Sequence, residues 1–386
     1  SPIYEIFVDM QADIPGIRLL VPEAEEHNLS SALLPFFDAS RRLVGDALVK
    51  APQLRQTVLD LGTEQRGRVR VTSALDEWLA VQENRERRTM ARSDWMADVS
   101  QGKRKRNPLR KPLPPYQIEG MLHLAFGERA MLADELGLGK SVQAIAACEL
   151  LRDYSAVAKV LIVTPESRKS EWARQITTLA GQQSILLSGT KANRQRTYRD
   201  SPLYVIANYE QVRADTDDMN TLLSPDIVIL DEAQRIRNWP TRTAKAVKQL
   251  RSPFAFVLTG TPLENRIEEI YSLVEFLDPH VFGALFRFQR EFFSLDHDGK
   301  VLPRNLAELH RRVNSVMLRR RRADVLEELP SRSENTFVVP MAPEQRERYS
   351  DYEARVRRIL ETNSQWVDSP DTITQLQQDL TAMRML

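Results

Sequence analysis

The stretch Ala130-Met131-Leu132-Ala133-Asp134-Glu135-Leu136-Gly137-Leu138-Gly139-Lys140-Ser141 decides how the rest of the chain is read. A short apolar run, Ala130 to Ala133, feeds a turn carrying Gly137 and Gly139, and a helix-like run from Val142 to Leu151 follows at once. The pattern predicts strand, phosphate loop, helix. In such a turn the backbone N–H groups around Gly137, Leu138 and Gly139, with the positive end of the following helix, form a concave anion site. Lys140 can then reach the terminal phosphates while the Ser141 hydroxyl holds Mg²⁺. Asp134 stands where the general pattern for this loop has its first glycine. A glycine-rich turn on a purely structural helix would share much of this pattern, so a second element has to agree.

That element lies downstream. Asp226 to Leu230 reads as a buried parallel strand and runs straight into Asp231-Glu232-Ala233-Gln234. Two adjacent acids at the end of an apolar strand are costly in a core and cheap where a strand reaches solvent. With a phosphate loop upstream they also fit a division of labour, Asp231 holding the hydrated Mg²⁺ and Glu232 orienting and deprotonating the attacking water.

The 386 residues allow two or three domains, and 42% hydrophobic with 28% charged residues is ordinary globular composition. No apolar run approaches 18 residues and no signal-peptide pattern opens the chain, so neither a membrane span nor secretion is expected. The single cysteine, Cys148, excludes a disulfide framework within the chain and points to a reducing, intracellular setting. The five histidines lack metal-ligand spacing. A net charge of +1 exerts no global pull on a polyanion, so nucleic-acid binding would depend on local patches.

Residues 1–107 carry weak strand signals (Ile3 to Val8, Ile17 to Val21, Val69 to Val71) and a charge-laced helical pattern from Ser73 into the nineties. They read as a small α+β accessory domain ending in a basic linker, with Lys103-Arg104-Lys105-Arg106 and then Arg110-Lys111-Pro112. Such a run is either a solvated linker or a nucleic-acid contact. Residues 108–278 alternate strand and helix in regular turn. The strand candidates are Ala130 to Ala133, Val160 to Val163, Ser184 to Leu187, Leu203 to Ala207, Asp226 to Leu230 and Ala255 to Leu258. The alternation predicts an α/β fold, a parallel sheet covered on both faces with its ligand site at the C-terminal strand ends, where Lys140, Thr164, Asp231 and Thr259 fall. Residues 279–341 read as a helical, basic extension. Its run Arg319-Arg320-Arg321-Arg322, flanked by Leu318 and Val325, suggests a packed helix with a cationic side, and a strand-like stretch follows from Thr336 to Val339. Residues 342–386 are again largely helical.

These pieces together resemble a Swi/Snf-type ATPase, a branch of the superfamily-two helicases that moves along double-stranded DNA. The likeness runs from about Leu113 to Tyr352 and rests on motifs in the family's order. Pro115-Tyr116-Gln117 with Glu119-Gly120 resembles the segment whose glutamine recognises adenine. Asp134 to Ser141 resembles the family's phosphate loop, which accounts for the missing first glycine. Leu161 to Pro165, followed by Trp172, and Ala207-Asn208-Tyr209-Glu210 resemble segments that grip a DNA backbone. Asp231 to Gln234 with Ile236, Arg237 and Asn238 is similar to the acidic motif. Leu258 to Asn265 is similar to the motif that couples hydrolysis to movement, and Leu318 to Asp324 with Glu328-Leu329-Pro330 to the arginine-rich helix closing the first lobe.

The resemblance implies a RecA-like lobe that uses ATP and Mg²⁺, with double-stranded DNA as partner. It implies adenine and phosphate contacts from Gln117, Gly137, Leu138, Gly139, Lys140 and Ser141, metal contacts from Ser141 and Asp231, and catalysis by Lys140, Asp231 and Glu232. Coupling would fall to Gln234, Thr259 and Thr261, and DNA contacts to Thr164, Pro165, Asn208 and Tyr209. Gln234 stands where the family often has histidine. The family's second lobe, with its arginine finger, would need far more chain than follows Pro330, so residues 342–386 read as the approach to it. A DNA translocase is the leading expectation, cytoplasmic or nuclear according to the type of cell. The motor of a restriction or phage-defence system, and a nucleotide- and DNA-binding module without turnover, are the alternatives.

Overall fold

The computed structural model describes residues 3–9, 15–22, 31–236, 241–260, 267–295, 301–328, 341–362 and 370–385. Contacts divide the chain into two compact units, Ser1–Leu329 and Pro330–Leu386. The sequence-based boundaries at 107/108 and 278/279 both fall inside the first.

The centre of the first unit is a seven-stranded sheet. Its strands are β4 (Arg129–Leu132), β5 (Val160–Val163), β6 (Ser184–Leu186), β7 (Tyr204–Ala207), β8 (Ile227–Asp231), β9 (Phe254–Leu258) and β12 (Met317–Leu318). They lie in the order β12-β4-β9-β8-β5-β7-β6, and every neighbouring pair is parallel. This is the RecA-like α/β architecture expected. Val160, Leu161, Ile162 and Val163 are all fully buried, as are Ile227 to Leu230, because helices cover both faces and neither side of a strand meets water. One apolar layer holds Leu161, Val205, Val228 and Val257, and the other Ile162, Ile206, Ile229 and Phe256.

Local chemistry sets the helix starts. Thr190, Asn208 and Thr241 each accept a backbone N–H of the turn they precede, and Asn208 with Gln211 forms a reciprocal capping box. Arg129, at the start of β4, donates to the carbonyls of Leu277, Phe276 and Ser252 at 2.6–2.8 Å. It thereby satisfies carbonyls that the helix Ile267–Leu277 leaves open at its end.

Beside this sheet a smaller one, β2 (Gly16–Leu20), β1 (Tyr4–Asp9) and β3 (Val69–Val71), packs on the helix Ala47–Asp60 through Tyr4, Ile6, Ile17, Leu19 and Leu54. The long helix Ala74–Ser100 leads from it and brings Trp95 into the core of the large sheet. Arg104, in the basic linker, is held by Asp98 and Asp153 and lies over the Tyr154 ring. That part of the run is structural, while Lys105 and Arg106 are exposed.

The basic extension contains the helices Leu285–Phe292 and Leu306–Val313, and a hairpin of β10 (Phe293–Leu295) with β11 (Val301–Pro303). Phe282, Phe288 and Phe292 pack with Tyr271 at its base. The arginine run itself is not the cationic helix expected of it. Leu318 ends a strand, Arg319 to Arg321 form no regular element, and only Arg322 opens a 3-10 turn. The reason is sheet pairing: Met131 and Ala133 N–H groups donate to Val316 and Leu318, which draws the chain out as β12 alongside β4.

The second unit pairs the helices Pro343–Thr362 and Pro370–Met385, with Arg355 set 3.5 Å from the buried Asp379. No helix among the described residues is long and apolar enough to cross a membrane. Thr336 to Val339 and Glu328-Leu329-Pro330 supplied sequence expectations; of these, 329–330 and 336–339 lie outside the described residues.

Candidate functional site

Every sheet strand that carries a candidate residue ends at the same edge. The turn after β4, the segments after β5 and β7, the acids closing β8 and the residues after β9 come together there because the strands are parallel and in register. In the loop, Gly137 and Gly139 hold φ of +89° and +75°, a region that admits glycine freely and a side chain only under strain. The helix Lys140–Ser155 starts directly on Gly139, so its unpaired N–H groups face the turn.

Lys140 Nζ donates to the carbonyls of Asp134 at 2.8 Å and Glu135 at 3.4 Å, holding the loop folded on itself. Burial pushes the Lys140 ammonium below its usual range, and Asp134, Glu232 and Asp231 pull it back up. Ser141 is half-buried. Gln117 donates its amide to the Leu138 carbonyl at 3.3 Å, and a Cβ on Gly139 would come within 2.5 Å of it, so the adenine candidate already lies against the loop.

Asp231 is buried, and its Oδ2 accepts from Thr164 Oγ1 at 2.9 Å and Trp172 Nε1 at 2.8 Å. Tyr209 donates to the Asp231 backbone carbonyl at 2.7 Å, and burial drives its phenol well above the usual range. Thr164 and Tyr209 were expected to touch DNA. Both are buried with their hydroxyls committed to Asp231, so here they fix the acid, while the half-buried Pro165 and Asn208 remain at the surface of this edge. Glu232 follows at φ +50°, a left-handed conformation that costs a non-glycine residue about 1–2 kcal/mol. Its carboxylate accepts from Gln234 Nε2 at 2.5 Å and from Arg168 Nη1. Gln234 Oε1 in turn meets Thr259 Oγ1 across a long 3.5 Å, the contact expected between the acidic and coupling motifs. Thr261 and the rest of that motif to Asn265, with Arg237 and Asn238, lie outside the described residues.

Among the described residues no group of three or more His, Cys, Asp and Glu side chains could hold a metal unaided. A hydroxyl and a carboxylate, Ser141 and Asp231, at one edge with a phosphate loop are instead the oxygen donors that Mg²⁺ uses when it arrives with phosphates.

Asp134 and Arg320 were both marked in the sequence, but not the pairing by which they hold the loop. Asp134 is fully buried, and its carboxylate is gripped by Arg320, Nε to Oδ1 at 3.1 Å and Nη2 to Oδ2 at 2.6 Å. Arg320 also donates to Gln143 Oε1, Glu119 Oε2 and the Tyr116 carbonyl. The signals for the pairing were Asp134, an acid at a loop position that calls for a cation, and the arginine run able to supply one.

A glycine-bearing loop on a parallel sheet, at the same edge as a strand that ends in two acids, is the arrangement of a RecA-like lobe. The model of the SNF2-related domain family matches residues 77–384, and the chain belongs to that family. It is similar to the CHD3-type chromatin-remodeling factor PICKLE of Arabidopsis thaliana, with 27% identity over 64% of this chain and 20% of that protein. It is similar also to the mouse chromodomain-helicase-DNA-binding protein 6, with 31% identity over 69% of this chain and 10% of that protein. The chain thus spans between a tenth and a fifth of these relatives. Among solved structures it resembles the Sulfolobus solfataricus SWI2/SNF2 ATPase core in complex with dsDNA, at 25% identity and a TM-score of 0.53, covering 73% of this chain and 59% of that one.

Removing Arg320 while leaving Asp134 strands a carboxylate in the core. Arg320→Ala is expected to cost about 3–5 kcal/mol in urea unfolding, and the pair of changes Asp134→Leu with Arg320→Met less than that single change. Equal losses for both would show that the ion pair does not hold the loop.

Proposed function

We propose that this lobe binds ATP with Mg²⁺ and serves as the hydrolytic half of a DNA-translocating motor. The observation that carries the reading is the meeting, at one sheet edge, of the Gly137–Ser141 loop with Asp231 and Glu232. In this reading the N–H groups of the loop bind the phosphates, Lys140 moves from the Asp134 carbonyl to their charge, and Gln117 reads the adenine. Ser141 and Asp231 would hold Mg²⁺, which when bound draws charge from the phosphate oxygens and assists the leaving group. Thr164 and Trp172 keep Asp231 aligned for that role. Glu232 orients the attacking water and takes its proton, and the Gln234–Thr259 contact reports the state of the site to the coupling motif.

Duplex DNA is proposed to lie along the Pro165 and Asn208 edge, held through its phosphates without sequence preference. One similar structure is described as a complex with dsDNA, which supports the choice of partner. Turnover is proposed to need a cation from a second lobe across the cleft. Arg320 offers no substitute, since it is buried on Asp134. The reducing, intracellular setting inferred from Cys148 belongs to the same proposal. A restriction or defence motor, or a binding module without turnover, would use the same edge, and no contact described above favours either.

Three measurements test this reading. Lys140→Ala is expected to weaken ATP binding in calorimetry, whereas Glu232→Gln in the full-length protein keeps binding and loses roughly 10²–10⁴ in hydrolysis rate. Equal ATP affinity for the parent and Lys140→Ala would show that the loop is not the phosphate site. DNA affinity is expected to fall steeply with salt, each lost phosphate contact lowering the log–log slope by about 0.9, and salt-insensitive binding would count against the DNA reading. Residues 1–386 alone are expected to bind ATP yet turn it over about 10³–10⁵ times more slowly than a chain extended through the second lobe. Similar rates for both would show that no second-lobe cation is required.

A further inference from the structure

Arg168 closes the short 3-10 turn Glu166–Arg168, between Pro165 and the helix Lys169–Gln175. Nothing in the sequence marked it, yet it reaches both acids of the site. Its Nη1 donates to Glu232 Oε1, and its Nε stands 3.5 Å from Asp231 Oδ2. Glu232 Oε2 is engaged by Gln234 at 2.5 Å. A base that is to take a proton from water must offer that water an oxygen within hydrogen-bond reach. Here one oxygen accepts from an amide and the other from a guanidinium, so each keeps one acceptor site and an incoming water must share the carboxylate with a bound cation. The Glu232 oxygen on that side is freed when Arg168 lets go of it. With 37% of the Arg168 side chain and 25% of Glu232 exposed, the pair is weak enough to open at small cost.

The other end of the same turn faces the proposed DNA edge. Glu166 is exposed, and its Oε2 accepts from Asn208 Nδ2 at 2.6 Å and from Lys169 Nζ at 3.2 Å. A DNA phosphate bound at Asn208 competes with Glu166 for the amide donors and repels the Glu166 carboxylate. Displacing Glu166 moves a three-residue turn whose last member is Arg168, and the phosphate offers the freed guanidinium another anion.

We propose that Arg168 is an autoinhibitory latch on Glu232, released when duplex DNA displaces Glu166 from Asn208. DNA would then accelerate hydrolysis by uncovering the base, with both contacts lying inside one lobe. The inference rests on Glu232 being that base, as proposed above.

The test is steady-state ATP hydrolysis by the full-length protein with and without blunt duplex DNA. Arg168→Gln is expected to raise the DNA-free rate about five- to tenfold, the range of a partly exposed charged hydrogen bond, and to reduce the remaining stimulation by the same factor. Arg168→Lys, which keeps the charge, should show a smaller rise. A purely structural role would lower both rates together and leave their ratio unchanged. Glu166→Ala should lower the DNA concentration giving half-maximal stimulation. If Arg168→Gln leaves the DNA-free rate at or below that of the parent while Glu232→Gln abolishes stimulated turnover, the latch is overturned and the base assignment stands. An unchanged half-maximal concentration for Glu166→Ala overturns the route through Asn208. Parent-like turnover by Glu232→Gln removes the base itself, and the latch with it.

Discussion

The ion pair between Asp134 and Arg320 is the contact on which the phosphate loop depends. Asp134 opens the loop with no exposure to solvent, and a lone carboxylate there would be several kcal/mol out of balance. Arg320 supplies a matched pair of donors, and its remaining N–H groups reach Gln143 in the helix behind the loop and the Tyr116–Glu119 turn in front of it. Strand pairing strengthens the same connection. Just beyond the end of β12 the Glu135 N–H donates to the Arg320 carbonyl at 3.0 Å. A displacement of residues 318–322 therefore reaches the loop directly.

At the opposite side of the site the constraint falls on Asp231. Its Oδ2 is engaged by Thr164, just after β5, and by Trp172 of the helix Lys169–Gln175, and its backbone carbonyl by Tyr209, just after β7. Segments that the family resemblance links to DNA are thus bonded to the acid proposed to hold the metal. In the proposed function this is a short physical path between the proposed DNA edge and the proposed hydrolytic residues, and it depends on the parallel register of β7, β5 and β8.

Much of this was legible in the sequence. The buried strands are continuous β-branched or apolar runs, so Val160–Val163 was read to the residue, and the glycines and Lys140 marked the loop without any knowledge of the fold. What escaped notice was decided by tertiary contact. A two-residue strand, Met317–Leu318, has no periodicity to detect, and four consecutive arginines look alike until one of them is buried against an acid far away in the chain. Arg168 carries no pattern at all. Thr164 and Tyr209 lie on motif positions, but the direction of their hydroxyls is set by the strand beside them, which sequence spacing does not reveal. The helix Ala47–Asp60, with Pro52 inside it, also went unread because proline ordinarily signals an interruption.

The most direct test of the nucleotide site is a crystal structure of this chain with Mg²⁺ and a non-hydrolysable ATP analogue. The β- and γ-phosphates are expected under the N–H groups of Gly137 to Ser141, with Lys140 Nζ transferred from the Asp134 carbonyl to the phosphates and the metal between Ser141 and Asp231. A nucleotide bound elsewhere, or a Lys140 still donating to Asp134 with the analogue in place, would contradict the assignment.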